Sequence, residues 1–91
     1  MKKDFYVYAI VSQKDRRIYV GMSHDVDYRI IQHNASKVFS TKPFVPWIKF
    51  FSQFAGNADE ARNLEKYYKC AAGKRKLRKI LINLDSGSLP D

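Results

Sequence analysis

Phe5-Tyr6-Val7-Tyr8-Ala9-Ile10, a polar turn, Ile18-Tyr19-Val20-Gly21-Met22-Ser23 and then Asp25-Val26-Asp27-Tyr28-Arg29-Ile30-Ile31-Gln32-His33-Asn34 decide the reading of this chain. They read as two short strands and a helix. In the first strand Phe5, Val7, Ala9 and Val11 point one way, and Tyr6, Tyr8 and Ile10 the other. Both sets are largely apolar, which predicts a central strand covered on both faces. The second strand pairs back antiparallel, with Ile18, Val20 and Met22 on one face and Tyr19 and Gly21 on the other. Gly21 marks either a close approach of backbone or ligand or a bend into the next loop. Ser23 or Asp25 caps the helix, Asp27 suits its positive end, and Val26, Ile30 and Ile31 face inward. Arg29 and His33, spaced i, i+4, share one flank, as a solvated face or aimed at an anion. Packing alone does not explain why Tyr6, Tyr8, Tyr19, Arg29 and His33 gather at the head of so small a unit.

Outward from this unit, residues 34–46 read as an ordered loop pinned by Val38, Phe39 and Phe44. A third strand follows from Trp47 to Phe54, with Trp47, Lys49, Phe51 and Gln53 on one face and Ile48, Phe50, Ser52 and Phe54 on the other. Asn57 and Glu60 form a capping-box pattern for a helix from Ala58 to about Ala72. Ala61, Leu64, Tyr68 and Ala71 make its buried stripe, and Gly73 its C′ stop. A last helix, residues 74–84, turns Leu77, Ile80, Leu81 and Leu84 inward, and residues 85–91 read as a flexible tail. The order is ββαβαα, an α/β (α+β) domain over residues 1–84 with a small three-stranded mixed sheet flanked by helices.

The 91-residue chain carries a formal net charge of +8 and one cysteine. A domain this basic attracts polyanions, nucleic acid before others, unless the charge only confers solubility. Cys70 has no partner for an internal disulfide, which suits a cytoplasmic setting. The start, Met1-Lys2-Lys3 before an apolar run, lacks the small-residue cleavage site of a signal peptide, and no stretch is long enough to span a membrane.

Sorting the acids by position isolates one. Asp25, Asp27, Asp59 and Glu60 belong to helix starts, Asp4 and Asp15 to a strand end and a turn, and Asp85 and Asp91 to the tail. Glu65 lies mid-helix with no such local role, and is either a surface partner of Lys69 or a cation ligand. One carboxylate with waters and substrate phosphate is a recognised Mg²⁺ arrangement. Cysteine and histidine are too few for zinc, no glycine-rich phosphate loop exists, and Cys70 reads as a small core residue rather than a nucleophile.

Tyr6-Val7-Tyr8, Tyr19-Val20-Gly21, Asp25-Val26-x-x-Arg29-Ile30-x-x-His33-Asn34, Phe39-Ser40-Thr41-Lys42, Pro46-Trp47 and Glu60-Ala61-x-x-x-Glu65-Lys66 together resemble the GIY-YIG nuclease signature. They are similar to its small stand-alone bacterial members, related to the N-terminal domain of the excinuclease C subunit. The resemblance implies DNA phosphodiester hydrolysis in repair or processing with one divalent cation, Mg²⁺ or Mn²⁺. Residue by residue it makes Tyr8 and Tyr19 the motif tyrosines, Arg29 the helix arginine and Glu65 the metal ligand. His33 falls where many stand-alone members carry histidine. Tyr6 replaces the first glycine of the motif, Tyr28 stands where a second basic residue is frequent, and Ala35-Ser36 replaces a glycine-containing turn. Asn83 lies where some relatives have a late polar residue.

The implied chemistry has Tyr8 or Tyr19 taking a proton from water, His33 relaying it or binding phosphate, and Arg29 holding phosphate oxygens. Lys42, Lys74, Arg75, Lys76, Arg78 and Lys79 are expected DNA contacts, the helical five alternatively being a solvated face. Targeting would come from a partner protein or a homodimer. The competing readings are a nucleic-acid-binding module that does not cut, and a scaffold using its basic helix against an acidic partner.

Overall fold

β1 (Phe5–Ser12) is the middle strand of a three-stranded sheet, flanked by β2 (Ile18–Ser23) and β3 (Trp47–Gly56) in the order β2-β1-β3. The structure, a computed structural model, describes residues 4–85. The expected tail after Asp85 and the lysines at positions 2 and 3 therefore lie outside the described residues. α1 (Val26–Asn34) joins β2 to β3, and α2 (Ala58–Lys69) and α3 (Ala71–Asp85) follow. Both pairings of β1 are antiparallel. β2 and β3 run the same way but are separated by β1, so the sheet is antiparallel rather than mixed.

The two apolar faces of β1 build two cores. Val7 and Ala9 pack with Val20, Tyr68 and Leu77 beneath α2 and α3. Tyr8 and Ile10 pack with Val26 and Trp47 beneath α1. Burial of such side chains stabilises a fold by about 1.5–3 kcal/mol each, so a 91-residue chain can stand without a disulfide.

β3 departs from strict alternation. Ala9 faces Phe51 and Ile10 faces Lys49, which leaves Phe50 as an extra residue opposite β1. A bulge of this kind reverses the side-chain phase. Trp47 thus joins the α1-side core, whereas Phe51 packs on the other side against the Tyr68 ring, at 4.9 Å between centroids. A second shift between Phe5 and Tyr6 skips Ala55 and restores the phase.

Asp25 caps α1, and Asn57 with Glu60 forms both bonds of a capping box at α2. α2 ends earlier than its stripe suggests, at Cys70, whose extended backbone (φ −82, ψ 170) breaks the helix. Cys70 is exposed at this corner rather than part of the core. Ala71 and Leu84 are also exposed, as is Ile31 on α1. Phe39, expected to pin its loop, is 93% exposed. The loop is held instead by Phe44, under the Arg17 guanidinium at 3.5 Å, and by Ser12 Oγ donating to the Phe44 carbonyl at 2.6 Å. Asp85, expected in the tail, closes α3 and pairs with Arg16.

Gly73 is no helix stop but a buried residue inside α3. A Cβ there would lie 2.0 Å from the Tyr67 carbonyl oxygen and 2.6 Å from the Tyr68 Cα. Its absence lets α3 fold back onto the end of α2. In an open helix Gly→Ala gains about 1 kcal/mol of propensity. Here the obstacle is backbone, which cannot rotate away, and overpacking costs about 1–3 kcal/mol. Gly73→Ala is expected to lower stability by that order in urea unfolding; an unchanged or higher midpoint would contradict this packing.

Candidate active site

Tyr8 points from the central strand into the α1-side core and is 1% exposed. Its hydroxyl lies 2.8 Å from Nε2 of His33, itself 0% exposed. The other ring nitrogen, Nδ1, lies 2.8 Å from Thr41 Oγ1, and that hydroxyl in turn is 3.4 Å from the Val38 carbonyl. A neutral imidazole donates from one nitrogen and accepts at the other, and the Val38 carbonyl is already taken by the Thr41 and Lys42 amides. With the hydrogen on Nδ1, Thr41 Oγ1 accepts and the Tyr8 hydroxyl donates to Nε2; with it on Nε2, both roles reverse. His33 is thus not on a solvated face; both of its ring nitrogens are engaged inside the core, one of them by Tyr8.

Burial, reinforced by the nearby Arg29 charge, lowers the His33 pKa from 6.5 to about 4. Tyr8 is pushed up from 10.0 to about 12, first by burial and then by the neighbouring Tyr19. The Arg29 guanidinium opposes that shift by hydrogen bonding and charge, while the Glu65 carboxylate adds to it. One phenol therefore senses Tyr19, Arg29 and Glu65, which come from β2, α1 and α2.

Tyr19 is only half-buried, with its ring 5.1 Å from that of His33 and 6.2 Å from that of Trp47. Arg29 is half-buried as well and donates from Nη1 to Gln32 Oε1 at 3.1 Å. Glu65 accepts an ion pair from Lys69 at 3.2 Å through Oε2, as an i, i+4 surface pair would. Yet its side chain is only 19% exposed, unlike the partners of the other ion pairs. The pairing with Lys69 that the sequence allowed is therefore present, on a side chain that is largely covered.

Gly21 resolves as a close approach. A Cβ would fall 2.6 Å from the Tyr8 hydroxyl oxygen and 3.1 Å from a Tyr19 ring carbon, so the missing side chain leaves room for both phenols. Tyr6 faces outward beside Phe54, with ring centroids 5.5 Å apart, and lines a separate groove of about 250 Å³ with His24, Asp27 and Lys49. Lys42 is exposed in a short 3₁₀ turn, Lys42–Phe44, immediately after Thr41. Lys74 is half-buried, and Arg75, Lys76, Arg78 and Lys79 are exposed along α3, away from the phenols. Asn83 is exposed near the end of α3.

The sequence motifs include Asn34 and Thr41 but assign neither a role, and the structure gives both one. The Trp47 amide donates to Asn34 Oδ1 at 2.6 Å, Asn34 Nδ2 donates to the Trp47 carbonyl at 3.0 Å, and Trp47 Nε1 donates to the Thr41 carbonyl at 3.0 Å. These bonds hold the loop that carries Thr41 against α1. No periodicity announces a buried threonine in a polar loop; its bond to a histidine eight residues earlier exists only in the folded chain.

Among the described residues no three His, Cys, Asp or Glu side chains form a cation cage. The donor chemistry still fits Mg²⁺ or Mn²⁺, which are commonly held by one carboxylate together with waters and substrate phosphate. Glu65 would be that ligand, since its pairing with Lys69 uses a single oxygen.

Two phenols on a small antiparallel sheet, with a guanidinium from α1 and a largely covered carboxylate from α2, make a domain suited to phosphate-ester chemistry. The GIY-YIG catalytic domain matches residues 4–78, and the chain belongs to that family of nucleases. No curated protein and no solved structure gives a significant match.

The neutral imidazole makes stability depend on pH with a definite sign. The His33 pKa is about 4 when folded against 6.5 in the unfolded chain. Its contribution is therefore complete above 6.5 and falls away as pH drops toward 4, because the unfolded chain binds the proton first. The loss is on the order of 3 kcal/mol. Urea midpoints between pH 7 and 4.5 are expected to decline in the wild type and to be flatter in His33→Gln; equal slopes would contradict a buried neutral histidine.

Proposed function

We propose that this chain is a divalent-cation-dependent endonuclease that hydrolyses DNA phosphodiester bonds at the Tyr8, Tyr19, Arg29, His33 and Glu65 centre. The observation that carries the reading is the convergence on the Tyr8 phenol. Its hydroxyl meets His33 directly, Gly21 leaves room for the Tyr19 ring beside it, and the Arg29 and Glu65 charges lie near enough to act on it. A solvated helix face or an ordinary packing tyrosine needs no such company.

Each group has a task that its chemistry fits. Arg29 offers planar donors to non-bridging phosphate oxygens. Tyr19, the more accessible phenol, orients the attacking water. The proton of that water passes to the Tyr8 oxygen as the Tyr8 proton moves to Nε2 of His33. Neither phenol then has to ionise beforehand, which answers the difficulty that Tyr8 stands at about 12. Phosphate bound at Arg29 offsets the guanidinium charge that helps hold the imidazole low, so His33 takes the proton more readily than in the free protein. A cation on Glu65, when bound, would neutralise charge on the phosphate and the leaving oxygen. Lys42, exposed next to Thr41, would meet the DNA backbone at the rim.

Plasmid and flapped DNA incubated with Mg²⁺ or Mn²⁺ test the reading. Arg29→Ala and Glu65→Gln are each expected to slow nicking by about 10²-fold or more, and His33→Ala by about 10²–10⁴-fold. Metal-dependent nicking that survives Arg29→Ala or Glu65→Gln would reject the site, and a clean wild-type protein that binds DNA without cutting it would leave a binding module.

A further inference from the structure

α3 carries Leu77 into the core with Val7, Ala9 and Val20, on the sheet face opposite Tyr8 and Tyr19. Arg75, Arg78, Lys79 and Ile82 recur at i, i+3, i+4, i+7, on the side of the helix turned away from Leu77. They line a shallow open groove of about 520 Å³ with Lys76. Among the described residues, none of the ion pairs uses a cation of this ridge; the carboxylates that pair do so with Arg16, Arg17, Lys49, Arg62 and Lys69. Ile82 closes the C-terminal end of the ridge and is 63% exposed. Unpaired cations set within little more than one helical turn, with an exposed aliphatic side chain at their C-terminal end, suit a regularly charged polyanion whose sugars also offer apolar surface.

Distance decides what these charges do. A helix is about 10–12 Å across, so the outer ridge of α3 is separated from the phenols by the helix and the sheet. The Debye length at physiological salt is about 8 Å. The ridge charges are therefore screened from the reacting phosphate and have no part in its chemistry.

We propose that the α3 ridge is a second nucleic-acid surface, which grips the backbone of a DNA segment other than the one at Tyr19 and Arg29. The inference rests on the nuclease reading only in taking DNA as the polyanion. A chain with one reactive face and one gripping face holds two stretches of its substrate, either a single molecule that curves around the domain or two neighbouring arms.

Binding without cutting separates this idea from the hydrolysis reading. Fluorescence anisotropy in EDTA over a salt series would compare wild type, Arg75→Gln/Arg78→Gln/Lys79→Gln, Arg29→Ala and the combined variant on a long duplex. The ridge variant is expected to bind about tenfold or more weakly, with the salt slope reduced by roughly 0.9 for each cation removed. Its loss and that of Arg29→Ala should combine independently, as for distant sites. A charge-reversed ridge with Glu at the same three positions should bind more weakly still, while retaining the wild-type circular dichroism spectrum. Wild-type affinity and salt slope in both ridge variants would overturn the proposal, as would strong coupling between the ridge and Arg29. Ridge-dependent binding by a protein that never cuts would support the surface while sinking the nuclease.

Discussion

The 2.8 Å hydrogen bond between the Tyr8 hydroxyl and Nε2 of His33 is the constraint around which the rest of the domain is arranged. Both groups are buried, and a buried polar atom without a partner costs about 1–3 kcal/mol. The fold therefore has to bring α1 back over the central strand in one register. It must also satisfy the far nitrogen of the imidazole, which Thr41 does. Thr41 in turn is held because Trp47 bonds its carbonyl and Asn34 clamps Trp47. The chain from strand to helix to loop and back to strand is thus one polar network threaded through an apolar core.

That network also explains the placement of reactive groups. Sheet and α1 fix Tyr8 and His33 against each other, as the proposed proton transfer would require. Tyr19 and Arg29 occupy less covered positions where a phosphate can reach them, and Glu65 approaches from α2. Three separate elements must dock before these groups surround Tyr8. The geometry of the proposed centre is consequently coupled to global stability, and loosening α1 would affect both.

Much of this was legible in the chain. The two-sided apolar pattern of β1 marked it as central, and Asn57 with Glu60 announced the start of α2. The family motifs singled out Tyr8, Tyr19, Arg29, His33 and Glu65, whereas their mutual distances had no counterpart in local pattern. Failures occurred where tertiary contact overrode a local signal. Gly73 follows an apolar stripe as a C′ glycine does, yet its purpose is to admit the Tyr67 carbonyl. The phase of β3 reverses at Phe50 because the bulge depends on its pairing with β1, not on its own residues. Phe39 looked like an anchor by hydrophobicity, but the loop already has one in Phe44.

Whether the five side chains act as one centre is decided most directly by a double-mutant cycle on the single-turnover cleavage rate with Tyr8→Phe, Glu65→Gln and their combination. Groups that work as a unit give strongly non-additive losses. The double variant should then be about as slow as the slower single variant. Rate losses that multiply would mean that Tyr8 and Glu65 act independently, and the shared centre described here would be wrong.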